Sequence, residues 1–314
     1  MQVIYDISKI KQFKKAVLAI GVFDGLHLGH QLVIKKTVEE AKKINGKTIV
    51  LTFFPHPNHV LKPAKYLPFL VSLKHRLKLI EKLGVDVCIL VNFTENFSNL
   101  SARNFVERFL VKKIKPRKIF VGADFTFGKD KNGNVDLLRK LGDFYGFKTK
   151  EIPRLKISGE VISSTLIRGL IKDGNLNKAS LFLGRPVSIL GKVMKGKGIG
   201  RVLGFPTANI TNSHEVMPST GVYAVRVAFN KRKFLGMAYI AGPRLYKNLK
   251  PFLEVHVFNF KKNLYGKEIE VEFYKKIRKE KRFKHQNALR KEIGNDAKKV
   301  KKFFSPHPNL KTAP

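Results

Sequence analysis

The sequence has one cysteine, few acidic residues and no long apolar run. The lone Cys88 excludes a disulfide within the chain and a cysteine-based zinc site. The stretch 1-MQVIYDISKIKQFKK-15 contains no uninterrupted apolar segment before its lysines, so we expect no signal peptide. No run approaches the length that crosses a bilayer. These absences predict a soluble cytoplasmic protein that has no membrane partner.

Acidic residues are scarce: 23 Asp and Glu stand against 62 Lys and Arg, which gives a formal net charge of +39. Such a charge fits a nucleic-acid-binding protein, and it also fits an enzyme for phosphorylated small molecules in a lysine-rich lineage. Residues 275–314 carry 14 Lys and Arg against 3 Asp and Glu, so most of the excess is spread along the chain. Charge therefore predicts non-specific attraction to polyanions and does not establish a nucleic-acid function.

The length of 314 residues and the hydrophobic content of 43% predict two domains. In the first half, short apolar runs alternate with segments whose apolar residues recur at helical spacing. The predicted strands are 16–23, 48–54, 85–93 and 118–125, and predicted helices start near residues 31, 72 and 101. This alternation is typical of a parallel α/β sheet, which binds ligands beyond the carboxyl ends of its strands. We predict this domain over residues 1–184.

The second half has a different pattern, which begins near 184-GRP-186. Its segments are typical of antiparallel strands, and in one of them Ile269, Val271 and Phe273 alternate with glutamates. The predicted strands are 187–194, 221–229, 253–260 and 268–274. They predict a small β-barrel or sandwich over residues 185–314, with a C-terminal helix at 285–304 and a disordered tail at 305–314.

Two histidines three residues apart, His27 and His30, follow the first strand in 21-GVFDGLHLGH-30. On the first turn of a helix they share a face, where free N–H groups and the helix dipole already favour an anion. The glycines allow a polyphosphate to come close to the backbone. A zinc site is disfavoured because no third ligand stands at suitable spacing, and incidental surface histidines are the remaining alternative. The strand–glycine–helix context favours phosphate.

Three consecutive hydroxyl residues, Ser163, Ser164 and Thr165, stand at the start of a predicted helix in 162-ISSTLIRG-169. Helix capping explains one of them. Three in a row with Arg168 one turn later favour a phosphate clamp, since a guanidinium holds phosphate oxygens bidentately. The sequence contains no GxxxxGK[ST] P-loop.

Closely spaced glycines in the second half, within 196-GKGIGR-201, precede 204-GFPTAN-209. A glycine run alone more often marks a flexible loop. One residue separates Thr207 from Asn209, so in a strand their side-chain oxygens point to the same side and could hold a hard cation. The alternative is a β-bulge or turn. Glu254 lies inside an apolar strand. It is either paired with a lysine or is a general base for an alcohol that attacks the γ-phosphate of ATP.

The histidine segment 21–30 and the hydroxyl segment 162–169 together resemble the nucleotidyltransferase superfamily, in which the HxGH and ISSTxIR motifs bind ATP. Three further segments, 52-TFFPHP-57, 97-FSNLSARNFV-106 and 121-VGADFTFGKDKNG-133, resemble the FMN adenylyltransferase module of the prokaryotic bifunctional FAD synthetase. Phe54 departs from that family, which usually has a polar residue there. The resemblance implies a Rossmann-like domain and two groups of site residues. The implied ATP contacts are Gly21, Phe23, Gly29, Ser163, Ser164 and Thr165, and the implied flavin contacts are Pro55, His56, Pro57, Asp124, Phe125 and Phe127.

The implied reaction is a direct displacement, in which a phosphate oxygen of FMN attacks the α-phosphorus of ATP and pyrophosphate leaves. No nucleophilic side chain is required, because the attacking phosphate is already ionised. Catalysis then depends on alignment and on cations that meet the developing charge. By the resemblance, His27, His30 and Arg168 supply these groups, with Mg²⁺ on the phosphates.

The second half resembles the riboflavin kinase module, a small β-barrel that the family attaches directly after the adenylyltransferase. The similar segments are 200-GRVLGFPTANI-210, 221-GVYAV-225 and 254-EVHVFNFKKNLYGKEIEV-271. The resemblance implies that Thr207 and Asn209 assist Mg²⁺ and phosphate binding and that Glu254 is the base. The implied glycine flap over ATP contains Gly196, Gly198, Gly200 and Arg201. The chain departs from the family at Asn259, where Asp is common, and at 239-YIAGPRLYKN-248, where a segment like NIGxRPTF is expected.

The resemblances cover nearly the whole chain, about residues 14–304. They predict a bifunctional enzyme that makes FMN from riboflavin and ATP, and then FAD from FMN and ATP. Its partners would be these small molecules and no specific nucleic acid, and the chain would be a monomer or a weak homo-oligomer. One alternative is that only the adenylyltransferase is active, given the altered 239–248 loop. The other is a basic nucleic-acid-binding protein, which predicts steeply salt-dependent binding without flavin turnover.

Overall fold

The computed structural model describes residues 1–10, 12–64, 67–196, 198–211, 215–242, 252–260 and 262–305. The chain divides into two compact units. The first unit comprises Met1–Pro68 and Leu73–Ser164, and the second comprises Phe69–Ser72 and Thr165–Pro314. The boundary between functional domains after residue 184 stays a prediction.

Six parallel strands form the main sheet of the first unit. They are β1 (Gln2–Ile4), β2 (Ala16–Ile20), β3 (Lys47–Phe54), β4 (Val87–Asn92), β5 (Pro116–Gly122) and β6 (Lys148–Ile152). Their order across the sheet is β1-β4-β3-β2-β5-β6, which places β2 between β3 and β5. Every residue of β2 is buried, and its alternate residues enter two separate apolar cores. Apolar cover on both faces is what a parallel sheet requires.

Helices connect these strands. They are α1 (Leu28–Lys43), α2 (Pro57–Leu61), α3 (Leu73–Glu81), α4 (Glu95–Ser98), α5 (Ala102–Phe105), a π-helical segment (Val106–Ile114) and α6 (Val135–Tyr145). The hairpin strands β7 (Lys156–Ile157) and β8 (Glu160–Val161) follow β6. Helix α1 buries Ile34, Val38 and Ala41, as the helical spacing predicted. Ser101 caps α5 by accepting a hydrogen bond from the Asn104 N–H at 3.1 Å, so the predicted helix start is also confirmed.

The second unit contains a closed antiparallel barrel of six strands. They are β9 (Val187–Met194), β10 (Ala208–Ile210), β11 (Gly221–Phe229), β12 (Arg232–Ala241), β13 (Phe252–Val257) and β14 (Glu268–Arg278). The helices of this part are α7 (Ser164–Lys172), whose first residue belongs to the first unit, α8 (Leu176–Leu183), α9 (Ile199–Val202) and α10 (Gln286–Phe304). Helix α10 packs Ala297, Val300 and Phe304 against barrel residues, among them Ala224 and Met237.

The predicted fold class, a parallel α/β sheet followed by a small barrel and a C-terminal helix, is confirmed. In β14 the predicted apolar alternation holds, but Glu272 on the opposite face is also buried. Its carboxylate accepts hydrogen bonds from Lys233 Nζ at 2.7 Å and Tyr274 Oη at 3.0 Å, which offsets the cost of burial. The 243–248 part of the unusual loop and, after Ser305, the tail predicted as disordered lie outside the described residues.

Candidate active sites

Three predicted site segments follow three neighbouring strands of the first unit. Residues 21–30 follow β2, residues 55–57 follow β3 and residues 124–127 follow β5. These strands are adjacent and parallel, so their carboxyl ends meet at one edge of the sheet. The sheet therefore brings the predicted nucleotide and flavin segments to the same edge, where parallel α/β sheets bind ligands.

The chain between β2 and α1 is a tightly folded, buried loop. Phe23 and Leu26 have left-handed φ angles of 51° and 44°, and Gly25 has a φ of 79°. Phe23, Leu26 and Asp24 are each 2% exposed. Because side-chain-bearing residues disfavour left-handed backbone, the surrounding structure must hold this loop in place. The loop delivers His27 to the N-cap position of α1.

His27 and His30 lie together at the start of α1. The Nδ1 atom of His27 accepts a hydrogen bond from the His30 backbone N–H at 3.3 Å, so an imidazole caps the helix. The two rings stack with centroids 3.6 Å apart, and Phe23 meets the His30 ring edge-on at 5.4 Å. Since Nδ1 of His27 accepts, the proton of the neutral ring is on Nε2, which can donate to a ligand. The pair thus forms one preorganised group at a helix N-terminus.

Two glycines of this loop are also explained by side-chain packing. A Cβ on Gly21 would lie 2.9 Å from the Phe23 ring, and a Cβ on Gly29 would lie 3.2 Å from the His27 ring. A larger residue at either position would displace a ring that builds the site. That these glycines also admit a polyphosphate stays a prediction.

The start of α7 contacts the same loop. The Ser164 hydroxyl donates a hydrogen bond to the Asp24 carbonyl oxygen at 3.0 Å and so joins the hydroxyl segment to the histidine segment. Ser163 directly precedes α7, and Thr165 lies in its first turn. Arg168 lies one turn further along α7, is 6% exposed, and belongs with Thr165 to the second unit.

The predicted flavin segment after β3 has a local structural role. His56 is buried, and its Nδ1 accepts a hydrogen bond from the Asn58 N–H at 3.1 Å, which caps α2. Pro57 occupies the first turn of that helix, where a proline loses no hydrogen bond. The peptide bond between Phe54 and Pro55 is cis. Capping and turn geometry therefore explain these residue types even without a ligand.

The predicted flavin residues after β5 differ in exposure. Asp124 is exposed, and its Oδ2 lies 3.8 Å from Nη2 of Arg154. Phe125 stacks on Phe127 with centroids 5.4 Å apart. Phe127 is 8% exposed and exchanges backbone hydrogen bonds with Gly133, so it is part of the core. Of these three residues, Asp124 and Phe125 have surface that a ligand could contact.

Sequence reasoning missed Arg76 on α3, which is 2% exposed. Its Nη1 donates to the Val22 carbonyl oxygen at 2.7 Å, and its Nη2 donates to the Phe53 carbonyl oxygen at 2.9 Å. Burial lowers the pKa of the guanidinium, and the nearby Asp24 carboxylate opposes that effect. A signal existed, because Arg76 shares the helical face of Leu73, Leu77 and Ile80. A cation on an apolar face needs buried partners.

In the barrel, three predicted residues come together. Asn209 on β10 is the register partner of Glu254 on β13. Thr207, directly before β10, donates its hydroxyl to Glu254 Oε2 at 3.4 Å. Because the two strands are hydrogen-bonded neighbours, the barrel fixes a hydroxyl, an amide and a carboxylate side by side.

The predicted glycine segment lies against this group. A Cβ on Gly196 would lie 1.9 Å from Asn209 Nδ2, and a Cβ on Gly200 would lie 3.0 Å from Thr207 Oγ1. Gly198 has a φ of 73°, which favours glycine. Arg201 lies in the short helix α9 and is exposed. The segment therefore runs over the Thr207 and Asn209 side chains.

His256 is a second residue that sequence reasoning missed. It stands two residues after Glu254, on the same face of β13. Its Nδ1 lies 2.8 Å from the carbonyl oxygen of Pro206, in the GFPTAN segment. Burial lowers the pKa of His256, and this hydrogen bond raises it by less. Period-two alternation from Glu254 could have identified it.

The part of the chain that the structure describes contains no group of three His, Cys, Asp or Glu side chains suited to a metal ion. The Thr207, Asn209 and Glu254 side chains instead offer a hydroxyl, an amide and a carboxylate oxygen within one group. Such oxygen donors fit a hard cation that also keeps water and phosphate oxygens as ligands.

A parallel sheet with a histidine and hydroxyl site, joined in one chain to a barrel with a Thr–Asn–Glu group, defines a two-module nucleotidyltransferase and kinase. Comparison with family models agrees: residues 9–166 match FAD synthetase and residues 183–304 match riboflavin kinase. The chain belongs to the bifunctional riboflavin kinase/FMN adenylyltransferase family. It phosphorylates riboflavin to FMN and adenylylates FMN to FAD, with ATP as the co-substrate.

Curated relatives described as bifunctional riboflavin kinase/FMN adenylyltransferase are similar over nearly the full length. The protein of Buchnera aphidicola subsp. Schizaphis graminum is 39% identical over 97% of this chain and 99% of its own. That of Escherichia coli K12 is 36% identical over 96% of each chain. That of Listeria monocytogenes is 37% identical over 92% of each chain.

A solved structure shares the fold over nearly the full length. It is a Streptococcus pneumoniae protein described as a macrolide-efflux protein, with a TM-score of 0.84 and 28% identity over 95% of this chain and 98% of that one. Among the described residues of the present chain, no helix has the length and apolar character to cross a membrane.

Proposed function

We propose that adenylylation takes place at the edge of the parallel sheet, on the loop that holds His27 and His30. Support comes from the three predicted segments that follow adjacent strands, and from the hydrogen bond of Ser164 to Asp24. The N-terminus of α1 adds a favourable helix dipole for an anion. A role for Arg168 at the phosphates stays a prediction from its sequence motif.

In this site the oxygen of the FMN phosphate forms a bond to the α-phosphorus of ATP while the bond from that phosphorus to the pyrophosphate oxygen breaks. The chain supplies alignment and donors rather than a nucleophile. The Nε2 atom of His27 donates to phosphate oxygens, and the stacked His30 holds its orientation. Asp124 and Phe125 offer surface to the flavin after β5.

Phosphorylation takes place in the barrel, with Glu254 as the general base. The primary alcohol of riboflavin attacks the γ-phosphorus of ATP, its proton passes to the Glu254 carboxylate, and ADP leaves. The observation that carries this assignment is the pairing of Glu254 with Asn209 in register and with Thr207 at 3.4 Å. The segment that contains Gly196 and Gly200 lies against the side chains of Thr207 and Asn209.

Mg²⁺ is the cation that this assignment calls for. The Thr207 and Asn209 side chains would hold it, since both offer oxygen ligands and the phosphates of ATP offer more. Mg²⁺ held there would neutralise phosphate charge during phosphorylation, and Mg²⁺ bound to the phosphates of ATP would do the same during adenylylation. Titration of each activity with Mg²⁺ after treatment with a chelator tests this assignment. Turnover that persists without a divalent cation would contradict it.

The bifunctional assignment is favoured over a single active module because both modules are present, and the 243–248 part of the loop that suggested the alternative lies outside the described residues. A monomeric or weakly oligomeric state, a cytoplasmic location and the lack of a specific nucleic-acid partner stay predictions. Binding to RNA measured at low and moderate salt tests the last of these, since purely electrostatic attraction falls steeply with salt.

The adenylylation site is tested by a His30→Ala variant incubated with FMN, ATP and Mg²⁺. We expect FAD formation to fall by roughly 100-fold or more, because the variant loses the ring that stacks on His27 and with it the orientation of a preorganised donor. His285→Ala is the matched control, because His285 precedes α10 and its side chain makes no capping hydrogen bond. Unchanged FAD formation by His30→Ala would contradict the site. Unchanged formation by His285→Ala is expected.

A further inference from the structure

The Arg76 guanidinium lies where strands β2 and β3 separate. The ladder between these strands runs from Ala16 and Lys47 to its last pair, Ile20 and Leu51. One more bond follows, from the Gly21 N–H to the Leu51 carbonyl oxygen at 3.1 Å. The register of the two strands ends there, and each strand continues into a predicted site segment. Ligands bind beyond the carboxyl edge of a parallel sheet, so the spacing of these two strand ends bears on the proposed site.

The carbonyl groups that Arg76 binds stand at equivalent positions past that pair. Val22 is two residues beyond Ile20, and Phe53 is two residues beyond Leu51. One guanidinium therefore spans the two strand ends, with Nη1 on the Val22 oxygen at 2.7 Å and Nη2 on the Phe53 oxygen at 2.9 Å. The planar fork of arginine fixes the separation of its two acceptors, as a flexible single donor does not.

The contact is buried and reinforced. Arg76 is 2% exposed, and a buried guanidinium is retained only with good partners. The Val22 oxygen also accepts the Thr52 hydroxyl of β3 at 2.9 Å, so two donors hold it. Asp24, buried in the same loop, is a charged neighbour of Arg76. Breaking this group would free the loop that carries His27.

We infer that Arg76 is a positioning residue for adenylylation: it sets the distance between the loop that holds ATP and the segment after β3 that faces FMN. This inference rests on the proposed adenylylation site. Val22 lies in the histidine loop, and Phe53 stands just before Pro55 and His56. Because a misplacement of about 1 Å between reacting groups can cost 100-fold in rate, the spacing of these segments governs turnover.

The test measures FAD formation from FMN and ATP by Arg76→Met and Arg76→Lys variants of the full chain. We expect kcat of Arg76→Met to fall about 10- to 100-fold, with KM for FMN and for ATP changed less than about 3-fold, since alignment rather than binding is lost. Arg76→Lys should recover part of the rate, because an ammonium keeps the charge and can donate to the freed carbonyls. Riboflavin phosphorylation by the same samples should stay within about 2-fold of wild type, since it belongs to the barrel.

Ile80→Val is the matched control for stability. Ile80 lies on the same helix, is fully buried in an apolar core, and has no polar side-chain atom. Its variant loses one buried methylene, so the unfolding temperature should fall while kcat stays at the wild-type value. A kcat of Arg76→Met within about 2-fold of wild type, measured below its unfolding temperature, overturns the inference. If Arg76→Met does not fold, Arg76→Gln, which keeps an amide donor, is judged by the same criterion.

His30→Ala is assayed in parallel to separate two failures. If His30→Ala loses FAD formation and Arg76→Met keeps it, the role of Arg76 alone is wrong. If His30→Ala keeps FAD formation, the proposed site is wrong, and the inference that rests on it falls as well.

Discussion

Replacement of Glu254 by glutamine removes the ionisable group of the proposed kinase base. Glutamine has the same shape, so it keeps the place of Glu254 in β13 and a side-chain oxygen for the Thr207 hydroxyl. That hydrogen bond is long, at 3.4 Å, and bonds of this kind add about 1 kcal/mol or less to stability. The unfolding temperature should therefore change by no more than a few degrees.

The catalytic effect should be far larger. A positioned general base contributes about 100- to 10,000-fold to a rate, which corresponds to roughly 3 to 5 kcal/mol of transition-state stabilisation. We expect kcat for FMN formation from riboflavin to fall by a factor in this range. FAD formation from added FMN should stay within about 2-fold of wild type, because it takes place in the other module.

Chromatographic separation of riboflavin, FMN and FAD measures both activities in one sample. Glu270→Gln is the matched control, since Glu270 is also a barrel carboxylate and accepts a hydroxyl hydrogen bond, from Ser188 Oγ at 2.8 Å. It should leave both activities unchanged. A Glu254→Gln variant that forms FMN within about 3-fold of the wild-type rate would refute the assignment of the base.

Three further outcomes are expected. Gly196→Ala places a Cβ 1.9 Å from the Asn209 amide, so the segment must shift, and FMN formation assayed chromatographically should fall about 10-fold or more while adenylylation persists. Burial lowers the pKa of His256 from the ordinary 6.5, so the folded state binds this proton less readily than the unfolded chain. The stability that results is present above about pH 6.5 and is lost as pH falls through the folded pKa. Between about pH 7.5 and 5.5, the unfolding temperature of the wild type should therefore fall further than that of His256→Gln. Asp296 is 1% exposed and lies 2.9 Å from Arg278 Nη2, so Asp296→Ala should lower the free energy of unfolding in urea by about 3 kcal/mol, and a loss below about 0.5 kcal/mol would contradict this.

Much of the fold follows from hydrophobic periodicity. The buried strands β2, β3 and β4 are short apolar runs, and α1 repeats its apolar residues at helical spacing, so pattern alone identifies them. Strand β12 was not predicted. Its first residues are charged, and Gly236 interrupts its middle, where a Cβ would lie 2.6 Å from the His256 carbonyl oxygen. Glycine has a low strand propensity, so a glycine required for close backbone approach makes the strand hard to predict from sequence.

The candidate sites also contain residues that the sequence identifies and residues that it does not. Residue types in fixed spacing, such as His27 with His30, can be recognised because their chemistry depends on local geometry. Arg76 acts through the carbonyl groups of distant residues, and a carbonyl carries no side-chain signal in the sequence. The same holds for His256, whose partner is the Pro206 carbonyl oxygen. Contacts to the backbone are thus the part of a site that needs three-dimensional structure.

Two separate active sites in one chain are tested most directly by mixing two variants. His30→Ala with riboflavin, ATP and Mg²⁺ should accumulate FMN without FAD, and Glu254→Gln should form almost no product from riboflavin. Because FMN released by the first variant can be adenylylated by the second, an equimolar mixture should produce FAD. FAD formation from riboflavin by either variant alone at the wild-type rate, or a mixture that accumulates FMN but no FAD, would contradict this division of the two reactions.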